Sequence, residues 1–133
     1  MEQDTDSRLL DDLLGPLHMH FLAAAQAYAD YLGAGKSFLF AASLRRTNAS
    51  ARDLLLRHGW RLPESRRADA AALLRHYDAW LTLWDSHAER LRPEPGDPFV
   101  FANDVTFPSD SQERLEALYR RLRAGGDKGG SSA

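Results

Sequence analysis

The sequence of 133 residues predicts an all-α fold, a single-domain bundle of about four helices with a Pro/Phe-rich loop packed on it. Apolar residues recur at spacings of three and four in several long segments, which is the periodicity of amphipathic helices. Glycines and prolines separate these segments. The hydrophobic share of 44% and the charged share of 27% are typical of an ordinary globular domain. We expect one helical domain over residues 1–124 and a flexible Gly/Ser tail over 125–133.

The first helix is predicted to run from a start at Asp11 or Pro16 to Leu32. Proline suits a first helical turn, because its missing N–H has no intrahelical partner there. Apolar and aromatic residues form one stripe along this helix, at Leu17, Phe21, Ala24, Tyr28 and Tyr31. Residues 33–35, Gly-Ala-Gly, end it.

Residues 33–37 read GAGKS and share letters with a phosphate-binding loop. That loop requires a glycine at the position of Asp30 and a buried strand before it, whereas the preceding segment is an amphipathic helix. We therefore interpret the glycines as a helix end and Ser37 as the N-cap of a second helix, which continues to about His58.

The second helix is expected to stop at Gly59 in a left-handed conformation, with Trp60 packed back on its last turn. The third helix starts around Pro63 and Glu64 and reaches about Leu91. It is the clearest element of the sequence and the expected central helix of the core. Its apolar stripe comprises Leu73, Tyr77, Trp80, Trp84, Ala88 and Leu91.

Residues 92–108 contain four prolines and cannot form a helix. They also contain three phenylalanines that are too apolar to be left in water, namely Phe99, Phe101 and Phe107. We expect this Pro/Phe-rich loop to lie down on the bundle. A final helix begins at Ser109 or Asp110, where a capping box is available.

The composition excludes several kinds of site. The chain has no cysteine, so it has no disulfide, no thiolate nucleophile and no cysteine-bound zinc. Its histidines are not spaced to share an ion on one helix face, so we expect no metal and no cofactor. The N-terminus is acidic, and no apolar run approaches the roughly 20 residues of a membrane span. We expect a cytoplasmic protein without membrane contact, and the abundance of Arg, Ala and Leu indicates a bacterial source with a GC-rich genome.

Charge is arranged in blocks along the chain. Residues 45–76 carry eight arginines against three acidic residues, whereas residues 77–113 carry eight acidic residues against two basic ones. Neighbouring helices of opposite charge attract one another across their exposed edges. A functional basic surface in the first of these blocks is the alternative interpretation.

A polar stripe on the second helix follows from the same charge pattern. Arg45, Asn48 and Arg52 share a face of that helix. We expect Asp78 or Asp85 on the third helix to pair with them and fix the register of the two helices. An anion-binding cleft is the functional alternative for this stripe.

No catalytic constellation stands out, so we expect a non-enzymatic protein–protein interaction or regulatory module. Its partner would be another protein or a second copy of the chain. Phe99, Phe101 and Phe107 are the candidate partner-binding residues, because they exceed what a surface loop needs. The sequence leaves two alternatives open. One is a small-molecule-binding regulator with a pocket between Trp80, Trp84 and Phe99; the other is a protein that binds or cleaves RNA.

The RNA alternative depends first on Arg52 and His58 in the segment RDLLLRH, where polar Asp53 follows the arginine. This segment resembles the signature of ribonucleases of the HEPN superfamily, which are small all-helical proteins. The resemblance implies metal-free cleavage of RNA, with Arg52 and His58 as catalytic residues and with paired copies building the site. On a regular helix these side chains differ by about 240° in direction, so they meet only if the helix ends or distorts between them.

The connection between the second and third helices supports a related prediction, the binding of nucleic acid. An aromatic ring lies there among cations, and this combination holds single-stranded nucleic acid by stacking and phosphate contacts. The candidate residues are Arg57, Trp60, Arg61, Arg66 and Arg67.

Overall fold

The computed structural model describes the backbone of residues 2–131 and the side chains of residues 4–125. Its α-helices are α1 (Glu2–Leu9), α2 (Gly15–Gly33), α3 (Phe38–His58), α4 (Glu64–Leu91) and α5 (Ser109–Ser131). A π-helical turn, Leu10–Leu14, joins α1 to α2 without a break, so the described chain forms four helical rods and no β-strand. The predicted all-α bundle is confirmed. No helix within residues 2–131 combines the length and the apolar character needed to cross a membrane.

The first rod begins earlier than predicted, at Glu2. The amide of Gly15 donates to the carbonyl of Leu10, five residues back, which is the hydrogen bond of a π-helix. The extra residue in this turn rotates α1 relative to α2. Leu9, Leu13, Leu14 and Leu17 of this rod are all buried in the core. The predicted start at Pro16 lies one residue from the first residue of α2, Gly15, whereas α1 and the π-helical turn were not predicted.

The boundaries of α3 and α4 agree with the sequence-based expectation. Ser37 precedes α3 in an extended conformation, and α3 ends at His58. Pro63, also extended, precedes α4, which ends at Leu91. Proline without an N–H and an extended residue before the first turn are both typical of helix starts.

The turn between α3 and α4 corrects two expectations. Gly59 has a right-handed φ of −59°, so the chain continues into a short 3₁₀ turn, Gly59–Arg61, instead of a left-handed stop. A Cβ there would lie 3.5 Å from the Cβ of Ala70, which is ordinary van der Waals contact, so neither φ nor packing requires glycine at this position. Trp60 contacts the last turn of α3 only through a hydrogen bond and is not buried there. It is 70% exposed, and its indole N–H donates to the carbonyl of Arg57.

The apolar interior is divided into two clusters, and α4 contributes to both. Leu73 and Tyr77 of α4 belong to the first cluster, with the leucines of the first rod. Trp84 of α4 belongs to the second cluster, together with Tyr31 of α2 and Phe99 of the loop. The rings of Trp84 and Phe99 lie 5.0 Å apart between centroids.

The loop between α4 and α5 is tied to the connection between α2 and α3. The N–H of Phe38 donates to the carbonyl of Asp97, and the N–H of Phe99 donates to the carbonyl of Lys36, both at 2.8 Å. The hydroxyl of Tyr31 donates to the carbonyl of Phe99 at 2.5 Å. These bonds hold residues 97–99 against one end of the bundle.

At the C-terminus, α5 continues through Ser131, whereas the predicted tail begins at residue 125. Residues 132 and 133 of that tail lie outside the described residues. The flexibility of residues 125–133 stays a prediction.

Candidate functional site

A groove of about 680 Å³ opens between α2 and α4, with α3 at its base and residues 103–107 of the loop as one wall. This volume is in the range of small-molecule sites. Its rings come from Phe21, Tyr28, His76, Tyr77, Trp80 and Phe107. None of its fourteen lining residues is Asp, Glu, Lys or Arg. We call it the α2–α4 groove.

Helical spacing and small side chains create this groove. Leu44 and Asn48 lie one turn apart on α3, and His76 and Trp80 lie one turn apart on α4, so each pair lines the groove from one helix face. Residues 24–25 of α2 are both alanine and also line the groove. Their small side chains leave the space between α2 and α4 unfilled.

Trp80 and Asn48 each present a polar group to the groove. Among the described side chains, none accepts from the indole N–H of Trp80, and none pairs with the amide of Asn48. Both residues are only partly exposed. Because neither side chain is buried, water reaches these groups, and a ligand can replace that water with a direct hydrogen bond.

His76 contributes an acceptor. It is buried, and its Nδ1 lies 3.0 Å from the carbonyl oxygen of Val105, which can only accept, so Nδ1 carries the proton and donates. Burial lowers the pKa of His76, so the ring is neutral at pH 7. In this tautomer Nε2 is a free acceptor. The side-chain oxygen of Asn103 accepts from the N–H of Val105 at 3.1 Å and holds this part of the wall.

A smaller cavity of about 220 Å³ adjoins the groove, and we call it the Lys36 pocket. It shares four lining residues with the groove, namely Tyr28, Leu44, Asn48 and Trp80. Trp84 and Phe99, which the sequence predicts around a pocket with Trp80, line it as well. The structure therefore brings the three predicted pocket residues together.

The three candidate partner-binding phenylalanines differ in exposure. Phe99 is only 1% exposed, so it packs in the core and cannot serve in a docking strip. Phe101 is half-buried with its ring centroid 5.6 Å from that of Trp80. Phe107 is half-buried with its ring 5.1 Å from that of His76. These two rings face the cavities rather than forming an outer strip.

Arg52 and His58 are not brought together. Because α3 is regular through His58, the two side chains point in different directions and lie about 9 Å apart along the axis. Arg52 forms ion pairs with Asp78 and Asp53. The Nδ1 atom of His58 lies 3.1 Å from the guanidinium of Arg61. The condition under which they would meet is not fulfilled, since α3 runs through both residues and ends at His58.

The expected pairing of α3 with α4 is confirmed. Arg45 donates to both carboxylate oxygens of Asp85, at 2.7 and 3.0 Å. The hydrogen bond raises the pKa of Arg45 and lowers the pKa of Asp85. Arg52 forms the matching pair with Asp78. These contacts fix the register of the two helices, as the charge pattern predicts.

The candidate nucleic-acid residues divide into paired and unpaired cations. Arg61 donates to Asp12 at 2.9 Å, and Arg66 lies 3.1 Å from Asp69. The Nε of Arg67 donates to a main-chain carbonyl. Within the part of the chain that is described, Arg57 has no ion-pair partner, and it is exposed next to the exposed ring of Trp60.

No protein-family model, curated protein or solved structure matches this chain. The chemistry of the groove is therefore what indicates a function. The described side chains contain no group of three His, Asp or Glu arranged to hold a metal ion. The polar groups that a molecule in the groove would meet are uncharged, and include the imidazole of His76 and the amide of Asn48.

Sequence reasoning missed the roles of His76 and the alanines at 24–25. The available signal was the run of three consecutive alanines in α2, residues 23–25. The exposed apolar residues of α2 were missed as well. Met19 is 60% exposed and Leu22 is 54% exposed, although the sequence places the protein-binding surface in the loop.

Proposed function

We propose that this protein binds a small, flat, largely apolar molecule in the α2–α4 groove and acts as a non-enzymatic, ligand-dependent regulator. One observation carries the proposal. The groove is lined by aromatic rings and a few uncharged polar groups, and none of its lining residues is Asp, Glu, Lys or Arg, in a chain of which 27% is charged. Apolar concave sites with a few convergent polar groups are characteristic of ligand binding.

The groups of the groove define what the ligand offers. The rings of Trp80 and Phe107 favour a flat apolar body. Nε2 of His76 accepts from an N–H or O–H of the ligand. The amide of Asn48 both donates and accepts, so it suits a carbonyl or amide group. The expected ligand is therefore a planar molecule with one or two hydrogen-bonding groups.

The position of the groove supports a regulatory role. A bound molecule contacts α2, α3, α4 and the loop at once. Because it binds the folded chain and not the unfolded one, it stabilises this arrangement by an amount that grows with its concentration. The ligand would thereby hold the loop in the arrangement that it presents to a partner in the cytosol.

Fluorescence titration with N-phenyl-1-naphthylamine tests the proposal. This probe is flat and neutral, and its emission rises in apolar surroundings. Wild type is compared with Trp80→Ala, which removes a ring of the groove, and with Trp60→Ala, which removes an exposed ring outside it. We expect saturable binding that weakens about tenfold in Trp80→Ala and is retained in Trp60→Ala. Equal affinity of all three proteins, each verified as folded by circular dichroism, contradicts the proposal.

A second candidate, binding of single-stranded nucleic acid, is favoured by the exposed ring of Trp60 beside the unpaired Arg57. Its test is the binding of a mixed RNA pool at low and moderate salt. Trp60→Ala and Arg57→Ala weaken binding if this tip holds RNA. Arg52→Ala and His58→Ala, run in a cleavage assay, test the HEPN-like alternative in the same samples.

The protein-interaction hypothesis keeps Phe101 and Phe107 as its candidate residues. Both rings line the cavities, so a protein partner would compete with the small molecule for the same surface. If N-phenyl-1-naphthylamine displaces a bound protein partner, the small-molecule hypothesis and the protein-interaction hypothesis describe one function.

A further inference from the structure

We infer that the ligand is an aromatic organic acid, whose anionic group binds Lys36 while its flat body lies in the α2–α4 groove. This inference rests on the proposed function. The Lys36 pocket and the groove share Tyr28, Leu44, Asn48 and Trp80, so one elongated molecule can occupy both cavities.

Charge complementarity carries the inference. Lys36 is the one charged residue among those that line the two cavities. Within the described part of the chain it has no salt-bridge partner, whereas Arg45, which lies over the ring of Trp84, is paired with Asp85. A single unpaired cation at one end of an uncharged aromatic cavity favours a ligand with one negative charge at its end.

The backbone of Lys36 is fixed in a costly conformation. Its φ of 58° is left-handed, which is unfavourable for a residue with a side chain. Its N–H donates to the carbonyl of Tyr31, and its carbonyl accepts from the N–H of Phe99, both at 2.8 Å. Strained residues that the surroundings hold in place are concentrated at functional sites. The side chain of Lys36 therefore starts from a fixed point at the rim of the pocket.

Two fluorescent probes distinguish the contribution of the flat rings to binding from the contribution of the negative charge. N-phenyl-1-naphthylamine and 8-anilinonaphthalene-1-sulfonate share the same flat rings and differ in the sulfonate. We expect Lys36→Gln to weaken binding of the sulfonate about tenfold and to leave binding of the neutral probe unchanged. Lys36→Arg keeps the charge and should retain the affinity for the sulfonate. Added salt should weaken binding of the sulfonate alone.

The outcomes distinguish this inference from the proposed function. Trp80→Ala should weaken binding of both probes. If it weakens neither, the groove is not the binding site, and this inference fails together with the proposed function. If Trp80→Ala weakens both probes but Lys36→Gln leaves the affinity for the sulfonate unchanged, the groove stands and the role of Lys36 is overturned. If Lys36→Gln lowers the affinity for both probes equally, the role of Lys36 is also overturned, because the charge of the sulfonate then does not account for the effect.

Discussion

His20 is a histidine held neutral inside the first apolar cluster. Its Nε2 lies 2.8 Å from the hydroxyl of Tyr77, and both residues are buried. Burial lowers the pKa of His20 to about 4, and burial raises the pKa of Tyr77. Protonation of His20 would place a charge in the core, so it is linked to unfolding.

This linkage gives a prediction with a defined sign. In the unfolded chain His20 takes up its proton near pH 6.5, but in the folded protein only near pH 4, so the unfolded state binds more protons in between. The free energy of unfolding should therefore fall by about 3 kcal/mol as pH falls from 7 to 4. Urea denaturation across this range measures it. The lowered pKa of His76 adds a loss of the same sign.

Two substitutions isolate the contribution of His20. Gln can keep a hydrogen bond to Tyr77 but does not titrate, so His20→Gln should flatten the dependence of stability on pH. Gln26→Ala, at an exposed and non-titrating position of the same helix, should leave that dependence as in wild type. If the two variants retain the same slope, His20 is not the group responsible.

At the scale of elements, the π-helical turn depends on Gly15. A Cβ at this position would lie 2.9 Å from the carbonyl oxygen of Leu10, which is part of the backbone and cannot turn away. Gly33, in the last turn of α2, has open space around its position. Alanine normally stabilises a helix by about 1 kcal/mol relative to glycine.

We therefore expect the same substitution to have opposite effects at the two glycines. Gly15→Ala should lower the free energy of unfolding, because the turn must distort to admit the methyl group. Gly33→Ala should leave it unchanged or raise it. Chemical denaturation of both variants measures the difference, and a stabilised Gly15→Ala protein would show that the turn needs no glycine.

The loop gives a second prediction at this scale. Phe99 is buried in the second cluster, while its neighbour Val100 is 53% exposed. Phe99→Ala should cost about 3 to 5 kcal/mol through the cavity that it leaves, and Val100→Ala should cost little. Thermal and urea unfolding measure both. If Phe99→Ala leaves the stability unchanged and abolishes binding of a protein partner, Phe99 is a partner-binding residue, as the sequence predicts.

How far the sequence predicts these elements depends on their regularity. The long stripe of α4 and the N-cap at Ser37 are local signals, so the boundaries of α3 and α4 follow from sequence. The π-helical turn at Leu10–Leu14 and the right-handed conformation of Gly59 have no such signal. Both depend on tertiary structure, which a local pattern does not contain.

At the scale of the whole molecule, the groove lies at the junction of the two apolar clusters. Phe21 and Tyr77, which line the groove, belong to the first cluster. Leu44 belongs to the second cluster, and Trp80 packs against that cluster; both line the groove as well. The two clusters do not merge here, because α2 places alanines where larger side chains would fill the gap. The sequence shows the aromatic residues of such a site, but the space between them is visible only in three dimensions.

The measurement that tests the account most directly is amide chemical-shift mapping of the ¹⁵N-labelled protein titrated with N-phenyl-1-naphthylamine. We predict that saturable shift changes cluster in residues 24–28, 44–48, 76–80 and 103–107, which line the groove from three helices and the loop. Shift changes centred on Met19 and Leu22, or around Trp60, would contradict the groove as the binding site.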